Sequence, residues 1–147
     1  MDQKQLDALT EALLEKEYWV IDILPRRVSA KRGTAYFAAE RFFLEPPRRK
    51  ALYEKFAALL VKLSCYYDHA LCADGTWTQT PAPQALWEQI AGCADIGWRN
   101  VLLPGEEALL TLNGGDLYMT LYHPSEELAE TVRALAASEG LFLRPGE

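Results

Sequence analysis

Cysteine, histidine and methionine are scarce, with three, two and two copies in the 147-residue chain. The cysteines, Cys65, Cys72 and Cys93, cannot complete a disulfide framework, and the sequence contains no CxxC pair. Free cysteine usually packs as a small hydrophobic residue, so we expect reduced, buried thiols and a cytoplasmic location. The chain also lacks any apolar run close to the roughly 18 residues that suggest a membrane span. We therefore expect no membrane contact.

Recognisable catalytic and cofactor motifs are missing as well. The sequence has no glycine-rich phosphate loop, no GxSxG elbow and no HExxH zinc motif. Gly114 and Gly115 belong instead to a hairpin connection, Asn-Gly-Gly-Asp. We accordingly expect no cofactor and no metal, and a noncatalytic role is favoured over an enzymatic one.

One arrangement keeps a small enzyme among the hypotheses. If residues 65–72 form a strand, Cys65 and His69 share a face, because side chains alternate along a strand. A thiol beside an imidazole can act as nucleophile and base, or can begin a zinc site, although this spacing matches no known motif. An acidic pocket above Tyr118 and Tyr122 is a second enzymatic variant.

The hydrophobic pattern predicts one α+β domain over residues 1–147. Half of the residues are hydrophobic and about a quarter are charged, as in ordinary globular proteins. We expect a mainly antiparallel sheet of five or six strands, with three or four helices packed largely on one face. Helices are predicted near residues 2–16, 47–63, 83–93 and 124–139. Strands are predicted near residues 18–24, 65–72, 98–103, 108–112, 117–122 and 141–143. Residues 73–80 are expected to be a loop.

Two segments leave alternatives open. Residues 35–44 fit either a strand or a helical turn, and we expect their aromatics (Tyr36, Phe37, Phe42 and Phe43) to be core rather than a stacking surface. In the predicted strand 117–122, Tyr118 and Tyr122 alternate with apolar residues and predict a half-exposed tyrosine face. Asp22 interrupts another strand. A solvent-facing position is favoured for it over a buried functional carboxylate.

Charge is distributed unevenly along the chain. Residues 1–62 hold 12 Lys and Arg against 9 acids, whereas residues 63–147 hold 3 against 12. Between residues 26 and 50, eight cations face only Glu40 and Glu45. Such asymmetry bears on partners and association rather than on fold.

The predicted binding residues fall into two cationic segments. They are Arg26, Arg27, Lys31 and Arg32 in a loop, and Arg48, Arg49 and Lys50 at a helix start. Cations in a first helical turn oppose the helix dipole by about 0.3–1 kcal/mol, and a bound anion would offset this. The alternative is that these side chains extend into water and pair loosely with acids.

These observations favour a noncatalytic binding or regulatory protein. Its basic surface is expected to engage an acidic protein partner, or the acidic half of a second copy in a homo-oligomer. The alternative is single-stranded nucleic-acid binding through the same residues. The net charge of −6 and pI near 5.0 weigh against that alternative.

Overall fold

The computed structural model describes residues 1–146 and contains, within that range, five α-helices and seven strands. In chain order these are α1 (Gln3–Leu13), β1 (Tyr18–Asp22), α2 (Gly33–Phe43), α3 (Pro46–Leu63), β2 (Ala70–Ala73), β3 (Thr76–Gln79), α4 (Pro83–Ala91), β4 (Trp98–Leu103), β5 (Ala108–Asn113), β6 (Met119–Tyr122), α5 (Glu126–Ser138) and β7 (Phe142–Pro145). Short 3-10 turns occupy Ala30–Arg32 and Pro104–Glu106. None of the helices in this range combines the length and apolar character needed to cross a bilayer.

The strands form one antiparallel sheet in the order β3-β2-β4-β5-β6-β1-β7. The α+β class is therefore confirmed. The predicted counts of five or six strands and three or four helices are too low, because the pattern missed β3 and left α2 undecided.

The region around β2 differs most from its prediction. Residues 64–67 form a turn after α3, so the strand predicted to begin at Cys65 begins at Ala70. The predicted loop contains a hairpin, in which Asp74 and Gly75 connect β2 to β3 with φ of 50° and 96°. Two successive positive φ values are typical of a type I′ turn, which Asp-Gly favours.

The inner face of the sheet packs against α3, α4 and α5. Alternate strand residues such as Leu71, Val101, Leu110 and Met119 point into this main core. The helices contribute apolar stripes, including Phe56, Leu60, Leu86, Ile90, Leu128 and Val132, each at most 2% exposed. Three of the five helices thus cover one face and fix the outward direction of the intervening strand residues.

The outer face is covered only in part, by α1. Leu6 and Leu13 of α1 form a smaller core with Ala70, Leu102 and Leu109 of the central strands. Asp2 caps α1, accepting a 2.9 Å bond from the Gln5 amide. The outer face continues past this core onto β6 and β1, where the candidate site lies.

Helix α2 contacts α3, but none of its residues is buried. Phe37, Phe42 and Phe43 are 61%, 49% and 37% exposed. The expectation that the aromatics of residues 35–44 are core residues is therefore wrong. The helix forms because Ala, Phe and Glu tolerate helical backbone there, and it ends before Pro46, the first residue of α3.

Gly114 is required where the β5–β6 hairpin meets the connection before β4. Its amide donates to the Gly97 carbonyl at 2.8 Å, and a Cβ there would lie 2.6 Å from the Cys93 carbonyl oxygen. We expect Gly114→Ala to lower the free energy of unfolding by roughly 1–3 kcal/mol, because backbone must move. Urea denaturation measures this. Gly105→Ala, where a Cβ meets nothing within 4 Å, is the control and should change stability by less than about 0.5 kcal/mol. Equal effects would contradict the steric explanation.

His69 is buried, and neither of its ring nitrogens has a hydrogen-bond partner among residues 1–146. An unpaired buried polar group costs about 1–3 kcal/mol, so His69→Leu should raise the free energy of unfolding by about 1 kcal/mol. His123→Leu, which removes a 2.9 Å contact between Nδ1 and the Glu107 carbonyl oxygen, should not stabilise the fold. Thermal and urea unfolding would test both changes. A loss of stability in His69→Leu would show that the imidazole is well accommodated.

Candidate functional site

The loop between β1 and α2 gathers one of the two predicted cationic segments. After Asp22 the chain turns at Pro25, and the 3-10 turn at Ala30–Arg32 leads directly into α2. Arg26, Arg27 and Arg32 line a common hollow of about 420 Å³. Lys31 is exposed in the same turn. The structure therefore brings together the arginines of the first segment, which we call the cationic loop (residues 24–33).

The cationic loop forms one wall of a cleft of about 320 Å³, here called the arginine cleft. Its lining includes three arginines, Arg26, Arg27 and Arg144, but only one acidic residue, Asp22. The remaining lining is largely apolar, contributed by Leu24, Val28, Ser29, Ala30, Gly33, Tyr36 and Phe37. The cleft therefore combines positive charge with apolar walls.

Asp22 and Arg144 form a buried ion pair at the base of this cleft. Arg144 Nη2 and Nε donate to Asp22 Oδ2 at 3.0 and 3.3 Å, and the Ile23 amide donates to Oδ1 at 2.7 Å. The two side chains are only 8% and 17% exposed. The prediction of a solvent-facing Asp22 is wrong, and the buried alternative is the observed one.

The sheet register explains why this pair forms. Val20 pairs with Arg144 across β1 and β7, and Asp22 lies two residues farther along β1 on the same outer face. Arg144 is absent from the binding residues predicted from the sequence. The sequence does contain a signal for this ion pair, because Asp22 and Arg144 are opposite charges that each interrupt an otherwise apolar strand.

Beside the arginine cleft lies the open part of the outer face, here called the tyrosine face. It forms a cleft of about 540 Å³, lined by Tyr18, Val20, Arg27, Tyr118, Thr120, Tyr122 and Arg144. Tyr18 and Tyr122 are paired across β1 and β6, with ring centroids 5.9 Å apart. Tyr118 is 38% exposed, which confirms the half-exposed tyrosine face predicted for this strand. Arg27 and Arg144 line both clefts, so the two form one continuous surface.

Three tyrosines of this surface hold their protons more tightly than usual. Burial is the main cause that raises the pKa of Tyr36, Tyr118 and Tyr122 above the ordinary value. Nearby negative charge adds to the effect, from Glu40 and Asp22 at Tyr36 and from Asp116 and Asp22 at Tyr118. These hydroxyls are therefore protonated at neutral pH and available as hydrogen-bond donors.

The second predicted segment lies elsewhere, at the start of α3. Arg48 binds Glu45 at 3.0 Å, donates to the Phe42 carbonyl oxygen at 2.8 Å and stacks over the Phe42 ring. Arg49 forms an ion pair with Asp95, whereas Lys50 is exposed. The two segments flank α2, whose 11 residues span about 16 Å. The structure thus gathers the loop arginines into a cleft but engages two of the three helix-start cations internally.

The thiol–imidazole hypothesis gains no geometric support. Cys65 lies in the turn after α3, where its sulfur contacts the Val61 carbonyl oxygen, and His69 is buried without a partner in residues 1–146. The prediction that both residues share a strand face is wrong. Burial raises the pKa of the Cys72 and Cys93 thiols, which opposes nucleophilic reactivity. The expectation of buried cysteines holds for Cys72 and Cys93 but is wrong for the exposed Cys65.

Neither a metal-binding arrangement nor similarity to a known protein assigns a function to this surface. Within residues 1–146, no group of three His, Cys, Asp or Glu side chains is arranged to hold a metal ion. No family model, curated protein or solved structure matches the chain. The case for function therefore depends on the geometry of the arginine cleft and the tyrosine face.

Asp116, at the hairpin before β6, should make stability depend on pH. Burial raises the pKa of its carboxyl in the folded chain, so its stabilising contribution is present below the unfolded-state pKa and is lost as pH rises through the folded-state value. We expect Asp116→Asn to increase stability at neutral pH relative to the parent and to flatten this part of the pH profile. Urea unfolding from pH 4 to pH 7 measures the difference. A parent and variant whose stabilities remain parallel over this range would contradict the expectation.

Proposed function

We propose that this chain is a noncatalytic binding or regulatory protein whose cationic loop engages an acidic protein partner. The observation that carries the proposal is the charge of the arginine cleft, whose lining contains three arginines and one acidic residue. That acidic residue, Asp22, already neutralises Arg144. Arg26 makes no ion pair with any residue from 1 to 146, so the cleft retains positive charge toward an approaching partner.

The tyrosine face extends the proposed interface. Tyrosine and arginine are enriched at protein–protein contacts, because each combines apolar area with hydrogen-bond donors. Tyr18, Tyr118 and Tyr122 lie next to Arg27 and Arg144 on one surface. In this proposal the tyrosines contribute contact area, while the arginines select negative charge and accelerate encounter.

The helix-start cations have a lesser part in the proposal. Arg48 and Arg49 already bind Glu45 and Asp95, and breaking those contacts would offset any gain from a partner. Lys50 and Arg48–Arg49 therefore act as an outer rim, whose exposed charges affect association rate more than affinity. Self-association remains a variant, since residues 63–147 could supply the acidic surface. The three free cysteines support a reducing, cytoplasmic setting.

Single-stranded nucleic acid is the second candidate, and one observation favours it. Tyr18 and Tyr122 lie on adjacent strands of an open sheet face beside two arginines, an arrangement suited to base stacking and phosphate contact. The net charge of −6 opposes this candidate, because phosphate binding is driven mainly by overall and local positive charge. An acidic protein segment remains the better fit.

Two triple variants that remove equal charge test the proposal. Arg26→Gln, Arg27→Gln and Arg32→Gln together should weaken binding of fluorescein-labelled poly-L-glutamate by at least about tenfold at low salt. The same change at Arg48, Arg49 and Lys50 should weaken it by less than about threefold, because two of these side chains are engaged within the fold. Fluorescence anisotropy measures both affinities, and circular dichroism confirms folding.

Parallel titrations with oligo-dT and sedimentation velocity separate the alternatives. Tighter binding of oligo-dT than of poly-L-glutamate at equal charge would overturn the protein-partner proposal in favour of nucleic acid. Concentration-dependent dimerisation that the loop variant abolishes would support the self-association variant. Equal loss of poly-L-glutamate binding in both triple variants would show that net charge, rather than the cleft, governs binding.

A further inference from the structure

We propose that the arginine cleft binds a carboxylate attached to a compact apolar or aromatic body. This inference rests on the proposed function in using the same cleft, and it specifies the chemical group that the cleft recognises. The supporting observations are the surplus of guanidinium groups, the apolar walls, the size of the cleft and the remaining donors of Arg144.

The charge of the lining selects an anion. Asp22 neutralises Arg144, whereas Arg26 lines the same cleft and makes no ion pair with any residue from 1 to 146. The N-terminus of α2 adds to this field, because Gly33 lines the cleft and the first turn of α2 carries no acidic residue. A neutral or cationic head group would leave this positive charge uncompensated in a partly enclosed site.

The guanidinium group of Arg144 is held in one orientation and keeps N–H groups that can bind a planar anion. Asp22 occupies its Nε edge and one Nη2 position, and Nη1 makes no hydrogen bond to residues 1–146. Because Asp22 fixes the guanidinium plane, a second carboxylate can approach the remaining N–H groups at little cost in side-chain entropy. Asp22 is thus a positioning residue, and Arg144 is the contact residue at the base of the cleft.

The apolar walls and the volume limit the rest of the ligand. Leu24, Val28 and Phe37 face the same space as the arginines, and the neutral phenol of Tyr36 supplies a further donor. About 320 Å³ lies at the lower end of the range for small-ligand sites. It accommodates one ring or branched side chain with its carboxylate, not a nucleotide chain.

Two sources could present this chemistry: a free organic acid, or an acidic side chain flanked by aromatic residues in a protein partner. We compare naphthalene-2-carboxylate with its neutral carboxamide, and the acetylated, amidated tripeptide Phe-Glu-Phe with its Phe-Gln-Phe counterpart. Isothermal titration calorimetry measures affinity, and the ¹H–¹⁵N signals of the arginine side chains locate the contact. Each acid that binds should do so at least about tenfold more tightly than its neutral counterpart.

Three protein variants identify the site. Arg26→Gln should weaken binding of the acid by at least about threefold without affecting the fold, because Arg26 is exposed. The double variant Asp22→Asn, Arg144→Gln removes the buried pair without leaving an unpaired charge, and should weaken binding by at least about tenfold. Lys4→Gln, an equal charge change on α1 outside the cleft, should leave the affinity within about twofold.

The outcomes are distinct. Arginine-dependent binding of the naphthalene acid supports a free organic acid as ligand, and arginine-dependent binding of Phe-Glu-Phe alone supports a partner side chain. Equal binding of acid and neutral counterpart, or unchanged affinity in the Arg26 and double variants, overturns the inference. Absence of binding by either acid also overturns it. Retained loop-dependent binding of poly-L-glutamate in that case would show that the broader proposed function survives.

Discussion

A helix of 11 residues is about 16 Å long, whereas seven strands spaced about 4.8 Å apart extend over about 29 Å. Helix α1 therefore cannot cover the whole outer face of the sheet, whichever way it lies. Its core contains Leu102 and Leu109 of the central strands and ends at Tyr122 of β6, which packs against that core and is only partly buried. The candidate site depends on this mismatch, because the same outward register continues from Leu109 to Tyr122 and Tyr18.

The part of the outer face that α1 does not cover is lined mainly by polar side chains. Tyrosine and threonine occupy positions where the covered half has leucine and alanine, so the open face can contact water without exposing a large aliphatic surface. The Asp22–Arg144 pair lies on the same outer face. Removing two charges from water is costly, and such a pair contributes less to stability than apolar residues of similar size would. Its clearer consequence is geometric: it holds one guanidinium at the junction of two clefts.

Some residues of this surface can be placed from the sequence and others cannot, for physical reasons. The alternation along the predicted strand 117–122, which includes β6, identifies Tyr118 and Tyr122 as outward residues, because a buried inner face imposes a period of two. Asp22 could not be placed in the same way, since its partner is 122 residues away and one strand gives no information about its neighbour. A local signal was available for the missed β3 hairpin in Asp74-Gly75, the dipeptide typical of a type I′ turn.

Two other predictions differ from the structure, because the local sequence does not show which surface a segment contacts or where an element ends. Phe37, Phe42 and Phe43 were expected in the core because aromatic burial is strongly favourable, yet α2 contacts the body mainly at α3. Cys65 and His69 are predicted to share a face of one strand over residues 65–72. In the fold, α3 extends to Leu63, and a turn precedes β2. Local composition did not determine where the helix ends and the strand begins.

The charge asymmetry of the chain also changes meaning once the fold is known. Part of it is resolved internally, since Arg49 and Lys62 of the basic half bind Asp95 and Glu139 of the acidic half. An ion pair of the opposite kind also forms, between Arg144 of the acidic half and Asp22 of the basic half. Positive charge without an ion pair to residues 1–146 then remains in the cationic loop at Arg26, Lys31 and Arg32. Of these three, Arg26 lines the arginine cleft together with the apolar residues Leu24 and Val28 and the phenol of Tyr36. A surface ammonium group in water has no such surroundings. In the proposed function, the location of the charge matters more than its amount for the recognition of an anion.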